Sequence, residues 1–199
     1  LRLQTFRTVS EKRTPDFAHY LGWCTWDAFY HSVDQEKVLS GLRSFREGGV
    51  RPGFMILDDG WLDTKGDYLN DFAARGEKFP QGLSGLIRRA KEEYAVRLFG
   101  VWHALEGYWT GINPDGPLAE RYRLVPNQAV IRPWDPKTED LFLVDPEDVY
   151  RFYQEFHRFL SMEGVDMVKV DGQSALELFT GRRLGRVSTM RAYQEAMQS

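Results

Sequence analysis

Two short stretches of this chain concentrate groups able to do chemistry. The first is Asp58-Asp59-Gly60-Trp61, directly after the apolar run Phe54 to Leu57. Adjacent carboxylates at the end of a strand repel one another, so a fold that holds them there uses them to accept hydrogen bonds. From a sugar those bonds come from hydroxyls, and Trp61 and Trp26 would supply flat apolar faces for the C–H side of a pyranose ring. The plainer alternative is a solvated acidic turn ending in a helix cap. A calcium loop is disfavoured, because Asp63 and Asp67 do not complete the alternating acidic spacing it needs.

The second stretch is Lys169-Val170-Asp171, which closes the apolar run beginning at Asp166. Strand residues two apart share a face, so Lys169 and Asp171 are expected to project together. A lysine beside a carboxylate favours its ionised form, which suits a nucleophile and is wrong for a general acid. Two alternatives stay open: an ordinary interior ion pair, and a class I aldolase-like barrel in which Lys169 forms a Schiff base with Asp171 as proton carrier.

Aromatic residues gather nearby, in Gly22-Trp23-Cys24-Thr25-Trp26-Asp27-Ala28-Phe29-Tyr30 and in Val101-Trp102-His103-Ala104-Leu105-Glu106-Gly107-Tyr108-Trp109. Four of the six tryptophans lie in these segments, which fits stacking platforms such as Trp102 around a carbohydrate, although tryptophans also fill cores. Trp23 and Trp26 are expected to face opposite sides, with Trp26 toward the ligand. His103 and Glu106 are too few for a metal, which needs three or four convergent ligands, so neither metal nor cofactor is expected.

The elements that must position these groups form a repeating pattern of apolar run, loop and amphipathic stretch, the signature of βα units. The runs are Tyr20 to Trp26, Phe54 to Leu57, Leu98 to Trp102 and Asp166 to Val170. Between them, helices are predicted from Asp34 to Glu47 with Asp34 as cap, around Leu83 to Ala90, and from Pro146 to Met162 with Asp145 as cap; a further helix starts near Thr189. Asp58 to Phe79 and His103 to Val144 read as loops, the second long enough to suggest function. The chemically active stretches all follow strands, where parallel α/β folds place their sites. No G-x-G-x-x-G or G-x-x-x-x-G-K-[ST] loop occurs, which disfavours a doubly wound nucleotide-binding sheet. The expected fold class is α/β, a TIM (β/α)8 barrel of which only the first four βα units are present. Residues 1–18 then read as a linker or the tail of a preceding domain, and residues 19–199 as the N-terminal half of the barrel.

A net charge of −3, a pI near 5.9 and 26 scattered basic residues argue against nucleic acid as a partner. No apolar run approaches the roughly 18–20 residues that cross a bilayer, and no basic-then-apolar leader pattern is present, so a soluble, cytoplasmic setting without membrane contact is expected. The single cysteine, Cys24, excludes an internal disulfide and a multi-cysteine zinc site, and reads as a buried strand residue. The chain begins at Leu1 and stops at Ser199 inside the helical pattern Ser188 to Gln198, which suggests a piece of a longer protein.

Taken in order, G-W-C-T-W-D-A-F-Y at 22–30, L-D-D-G-W at 57–61, V-W-H-A-L-E-G-Y-W at 101–109 and V-K-V-D at 168–171 resemble the raffinose synthase family. That group includes the alkaline α-galactosidases and seed-imbibition proteins and lies within glycoside hydrolase family 36. The resemblance implies a retaining enzyme in which Asp171 attacks the anomeric carbon and forms a covalent galactosyl-enzyme. It also implies that Asp58 and Asp59 hold the galactose O4 and O6 hydroxyls, that Lys169 reaches a ring hydroxyl, and that Trp26 packs on the sugar. Retention needs a second carboxyl about 5–5.5 Å from the first, and the resemblance places it on a later strand beyond Ser199. The implied partners are an α-galactoside oligosaccharide, of raffinose-family, galactinol or melibiose type, and the missing half of the barrel. Alone, the chain would be inactive, and a non-catalytic carbohydrate-binding remnant is the remaining alternative. Gly172-Gln173-Ser174 departs from the more apolar continuation of the plant proteins, which leaves hydrolysis or transfer to an acceptor open.

Overall fold

The computed structural model describes residues 8–130, 132, 134–180 and 184–198. After short 3-10 turns at Val9–Glu11 and Asp16–His19, strand β1 (Gly22–Cys24) leads to a single helical turn, α1 (Trp26–Phe29), and a further 3-10 turn, Tyr30–Ser32. Helix α2 (Gln35–Glu47) starts where predicted, because Asp34 Oδ1 accepts the Lys37 amide at 2.8 Å and satisfies one of the first-turn donors. Strand β2 (Phe54–Leu57) is followed by a hairpin, β3 (Leu62–Lys65) and β4 (Tyr68–Ala74), and then by α3 (Gly82–Tyr94). Strand β5 (Leu98–Ala104) runs into α4 (Pro117–Arg121) and a second hairpin, β6 (Leu124–Ala129) and β7 (Glu139–Val144). Helix α5 (Val149–Glu163), strand β8 (Met167–Asp171) and helices α6 (Leu176–Thr180) and α7 (Arg186–Met197) complete the chain.

The main sheet has the order β1-β2-β5-β8, all parallel, with Cys24 opposite Ile56, Leu57 opposite Val101 and Trp102 opposite Lys169. Strand alternation divides its side chains between two faces. Trp23, Phe99, Val101 and His103 point toward the helices: Trp23 lies over Gly41 of α2, and the His103 ring is 5.1 Å from Phe156 of α5. Val38, Leu39 and Leu42 of α2, Leu83, Leu86 and Ala90 of α3, and Phe152, Phe156 and Leu160 of α5 close this core. Each of the valine, leucine and phenylalanine side chains among these contributes on the order of 1.5–3 kcal/mol by leaving water. On the opposite face Ile56, Gly100 and Met167 meet, and the same alternation carries Cys24, Asp58, Trp102, Lys169 and Asp171 to the carboxyl ends of the strands.

The parallel α/β organisation follows the sequence pattern, with three differences. Closure into an eight-stranded barrel is not seen among the described residues, where the sheet has four strands and β1 and β8 are its edges. The two stretches read as loops each contain an antiparallel hairpin, and the strands of each hairpin pair with one another outside the main sheet. Helix α5 begins at Val149 with Asp148, not Asp145, as its N-cap; Asp145 instead accepts the Glu147 amide at 2.9 Å in the turn before it. Among the described residues no helix is long and apolar enough to cross a membrane. Residues 1–7 of the expected linker lie outside the described residues.

Candidate functional site

The parallel register places the ends of β1, β2, β5 and β8 side by side, and three polar side chains, two from the end of β1 and one from β8, converge on Asp58 together with the Asp59 amide. Its backbone amide donates to Thr25 Oγ1 at 3.0 Å, which ties the end of β2 to the end of β1. Its carboxylate Oδ1 accepts the Asp59 amide at 2.9 Å, while Oδ2 accepts Lys169 Nζ at 2.7 Å and the Cys24 thiol at 3.0 Å. Asp58 is almost fully buried, so these donors replace the water it has lost. Partial burial works against the Lys169 ammonium, but the hydrogen bond and charge of Asp58 outweigh it and raise the lysine above its ordinary value. Cys24 is pushed up by burial and by donating to the same carboxylate, so its thiol stays protonated.

Asp59 is equally buried and is held by three donors of its own. Tyr108 donates to Oδ1 at 2.9 Å, and Trp109 Nε1 donates to Oδ2 at 2.9 Å, both from the loop after β5. His31 Nε2 lies 3.0 Å from Oδ2, reaching in from the 3-10 turn after α1. Burial and the adjacent Asp59 charge push the Tyr108 hydroxyl far up, which keeps it a donor. The Trp26 ring is half-buried and meets His31 and Tyr30 edge-on at 5.0 and 5.1 Å. It therefore borders the Asp59 cluster.

Asp171 ends β8 with its carboxylate fixed at both oxygens: Trp102 Nε1 donates to Oδ2 at 3.2 Å and the Gly172 amide to Oδ1 at 2.8 Å. Lys169 shares its face, as the alternation predicts, but its direct ion pair is with Asp58 rather than Asp171. Two tryptophans have different roles from those expected. Trp61 is fully buried and its indole N–H donates to the Trp102 carbonyl at 2.9 Å, so it braces β5 from within the core and offers no face to a sugar. Trp102 is 1 % exposed and presents the N–H edge of its ring to Asp171 rather than a stacking face.

Thr25, His31, Tyr108 and Trp109 carry the network; sequence reasoning gives the first three no role, and Trp109, one of the expected stacking aromatics, turns its indole N–H to Asp59. Tyr108 and Trp109 lay within a stretch singled out for its aromatics, but nothing in spacing alone says which aromatic turns its polar end toward a carboxylate. His103 and Glu106 are both buried; His103 lies on the helix side of β5, and burial pushes it down to about 4, against the Ala104 carbonyl bond, so it is neutral. No group of three or more His, Cys, Asp or Glu among the described residues is placed to hold a metal ion.

The family described as "Raffinose synthase or seed imbibition protein Sip1" matches over residues 1–79 and 70–199. A probable galactinol–sucrose galactosyltransferase 6 of Arabidopsis thaliana is 39% identical over 100% of this chain, which spans 30% of that relative's length. Among solved structures, the GH36 α-galactosidase AgaA of Geobacillus stearothermophilus superposes with a TM-score of 0.61 at 22% identity, covering 90% of this chain and 26% of the enzyme. A variant of AgaA in complex with raffinose gives a TM-score of 0.58 at 21% identity over 89% of this chain and 24% of the enzyme. At these identities the structural likeness concerns the fold, an α/β domain with a parallel sheet like those of GH36 α-galactosidases.

Proposed function

Because the chain belongs to the raffinose synthase and seed imbibition protein family, we propose that it is the part of an α-galactoside-processing enzyme that binds the galactose ring and supplies the nucleophile. One observation carries the reading: two buried carboxylates, each held by three protein donors, stand beside a strand-end aspartate fixed by two more. An ionised carboxylate has about four lone-pair sites. Asp58 and Asp59 each have three filled by protein donors and so retain room for about one further bond, which suits one sugar hydroxyl apiece. That is the demand of the O4 and O6 hydroxyls of galactose. Trp26, half-buried at the rim, supplies an apolar edge for the ring.

In this reading Asp171 attacks the anomeric carbon as a carboxylate. The new C–O bond forms as the bond to the departing oxygen breaks, and that oxygen takes a proton from a second carboxyl group. Water or an acceptor hydroxyl then displaces Asp171 and gives up its proton to the same group, so the configuration is retained. Trp102 and the Gly172 amide hold the attacking oxygens throughout. We place the second carboxyl, and the strands that close the sheet into a barrel, outside these 199 residues, in keeping with relatives about three times as long. These residues alone would then turn over galactosides poorly. Galactinol, raffinose-type and melibiose-type sugars are the proposed substrates. The Schiff-base alternative is disfavoured, because an amine nucleophile needs a depressed pKa and that of Lys169 is raised by Asp58.

The test is chemical rescue in the full-length protein. Asp171→Gly should abolish turnover of an activated aryl α-galactoside, and azide should restore it by forming a β-galactosyl azide in the vacated space. Full activity of Asp171→Gly without azide, or an α-configured product, would refute the assignment.

A further inference from the structure

Glu106 occupies the turn that follows β5, 1 % exposed, and neither of its carboxyl oxygens has a hydrogen-bond partner among the described residues. A buried carboxylate without a partner is strongly disfavoured and takes up a proton instead. Burial raises Glu106 well above its ordinary value, against its own backbone amide, and the nearby charge of Asp171 adds to the rise.

The group also has a defined place. A Cβ added at Gly172 would lie 2.4 Å from Glu106 Oε1 and 2.6 Å from Oε2, so the carboxyl packs directly beneath the residue after the nucleophile. Gly172 has φ of +71°, a conformation that also calls for glycine. Next to Glu106, the Leu105 amide donates to the Asp171 carbonyl at 2.7 Å, so the turn after β5 clamps the 171–172 turn from both sides. Among the described residues, the titratable groups that influence Glu106 or are influenced by it are Asp171 on β8, Tyr153 on α5 and Tyr193 on α7, and none is a cation. The Tyr153 hydroxyl donates to the Leu105 carbonyl and that of Tyr193 to the Val144 carbonyl, so neither donates to Glu106. Both Glu106 oxygens lie against Gly172, so the carboxyl is turned toward the backbone of the 171–172 turn.

We propose that Glu106 is a positioning residue for the nucleophile: as a neutral acid it fills the space beneath Gly172 and fixes the turn that aims Asp171, and its ionisation releases that turn. Once charged, the group must admit water or move, and because its oxygens abut Gly172 the turn moves with it. This role rests on the reading of Asp171 as nucleophile.

The experiment follows covalent labelling of the full-length protein by 5-fluoro-α-galactosyl fluoride, whose leaving group needs no proton from the enzyme, as a function of pH. For the wild type, the labelling rate should fall about tenfold for each pH unit beyond the ionisation of Glu106. Glu106→Ala should label at least about tenfold more slowly at every pH. Glu106→Gln, of the same shape and always neutral, should restore the rate and remove the alkaline fall. Infrared difference spectra of wild type against Glu106→Gln at neutral pH should show a protonated carboxyl band in the wild type only, which tests the neutral state even if Glu106→Ala fails to fold. The same alkaline fall in Glu106→Gln, or no such band, would overturn the proposal with the nucleophile intact. No label on Asp171 of the wild type at any pH would remove the underlying reading and this role with it.

Discussion

Replacing Tyr108 with phenylalanine removes one oxygen from the cluster around Asp59 and leaves the ring. The ring's packing, edge-on against Trp102 at 5.9 Å, is kept, so no cavity opens. The lost hydroxyl is, among the described residues, the one side-chain donor to Asp59 Oδ1, at 2.9 Å, on a carboxylate whose side chain is 2% exposed. Water cannot readily take its place. A hydrogen bond to a charged group is worth about 1.5–3 kcal/mol, so unfolding of the domain should become easier by that amount, about 10- to 150-fold in the equilibrium constant. Asp59→Asn gives the control: against a neutral amide the same hydroxyl is worth about 0.5–1.5 kcal/mol, so Tyr108→Phe should cost less in that background. The assay is urea unfolding followed by tryptophan fluorescence for wild type, both single variants and the double variant. A Tyr108→Phe loss below about 0.5 kcal/mol, or an equal loss in both backgrounds, would refute the claim that Asp59 is a buried anion held by its donors.

Three further expectations follow from the same geometry. Trp102→Phe removes the donor to Asp171 Oδ2 but keeps the backbone carbonyl that receives Trp61, so the covalent step should slow about 10- to 100-fold while KM changes little; an unchanged kcat would show that the bond plays no part. Lys169→Met should lower kcat/KM by about 100-fold and cost about 1.5 kcal/mol of stability, the low end for a bond to a charged group, because it leaves the 4%-exposed Asp58 carboxylate without its charged partner while solvent at the 41%-exposed lysine screens the pair. Since folding raises the Lys169 pKa, that stability is fully present below the unfolded lysine value and lost as pH rises through the folded one; a pH-stability titration should lose this alkaline component in Lys169→Met. Asp34→Ala should cost about 1 kcal/mol through the lost cap of α2. Partial burial opposes the Asp34 charge, but the Lys37 amide and ammonium outweigh it and lower its pKa. The cap's contribution is therefore present above the unfolded aspartate value and fades as pH falls through the folded one, and Asp34→Asn should lack that acid dependence.

The main sheet was legible because each of its strands is a short apolar run followed by a helix with its own period, and α2 even advertises its cap in Asp34. The hairpins were not. Strand β6 contains Pro126, Asn127 and Gln128, and its partner β7 opens with Glu139 and Asp140, so neither shows the apolar alternation that signals a strand. They are stabilised by pairing with each other, a long-range relation that a local pattern does not carry. At the site, alternation alone places Lys169 and Asp171 on one face, since two-residue spacing determines the face, and Asp58 is marked by its place at the end of an apolar run. The errors came with the tryptophans. Residue type alone points to Trp61 and Trp102 as stacking platforms, but the apolar area of a tryptophan fits a core equally well, and the direction of its N–H decides its role. His31 and Tyr108 went unassigned for the complementary reason: they reach Asp59 across 28 and 49 residues of sequence, through the sheet's assembly.

The most direct test of the account is peptide mapping of the full-length protein after reaction with 5-fluoro-α-galactosyl fluoride. A single galactosyl-sized adduct is expected on the peptide containing Asp171, lost in Asp171→Gly and unaffected by borohydride. An adduct on Lys169, or on any carboxylate other than Asp171, would contradict it.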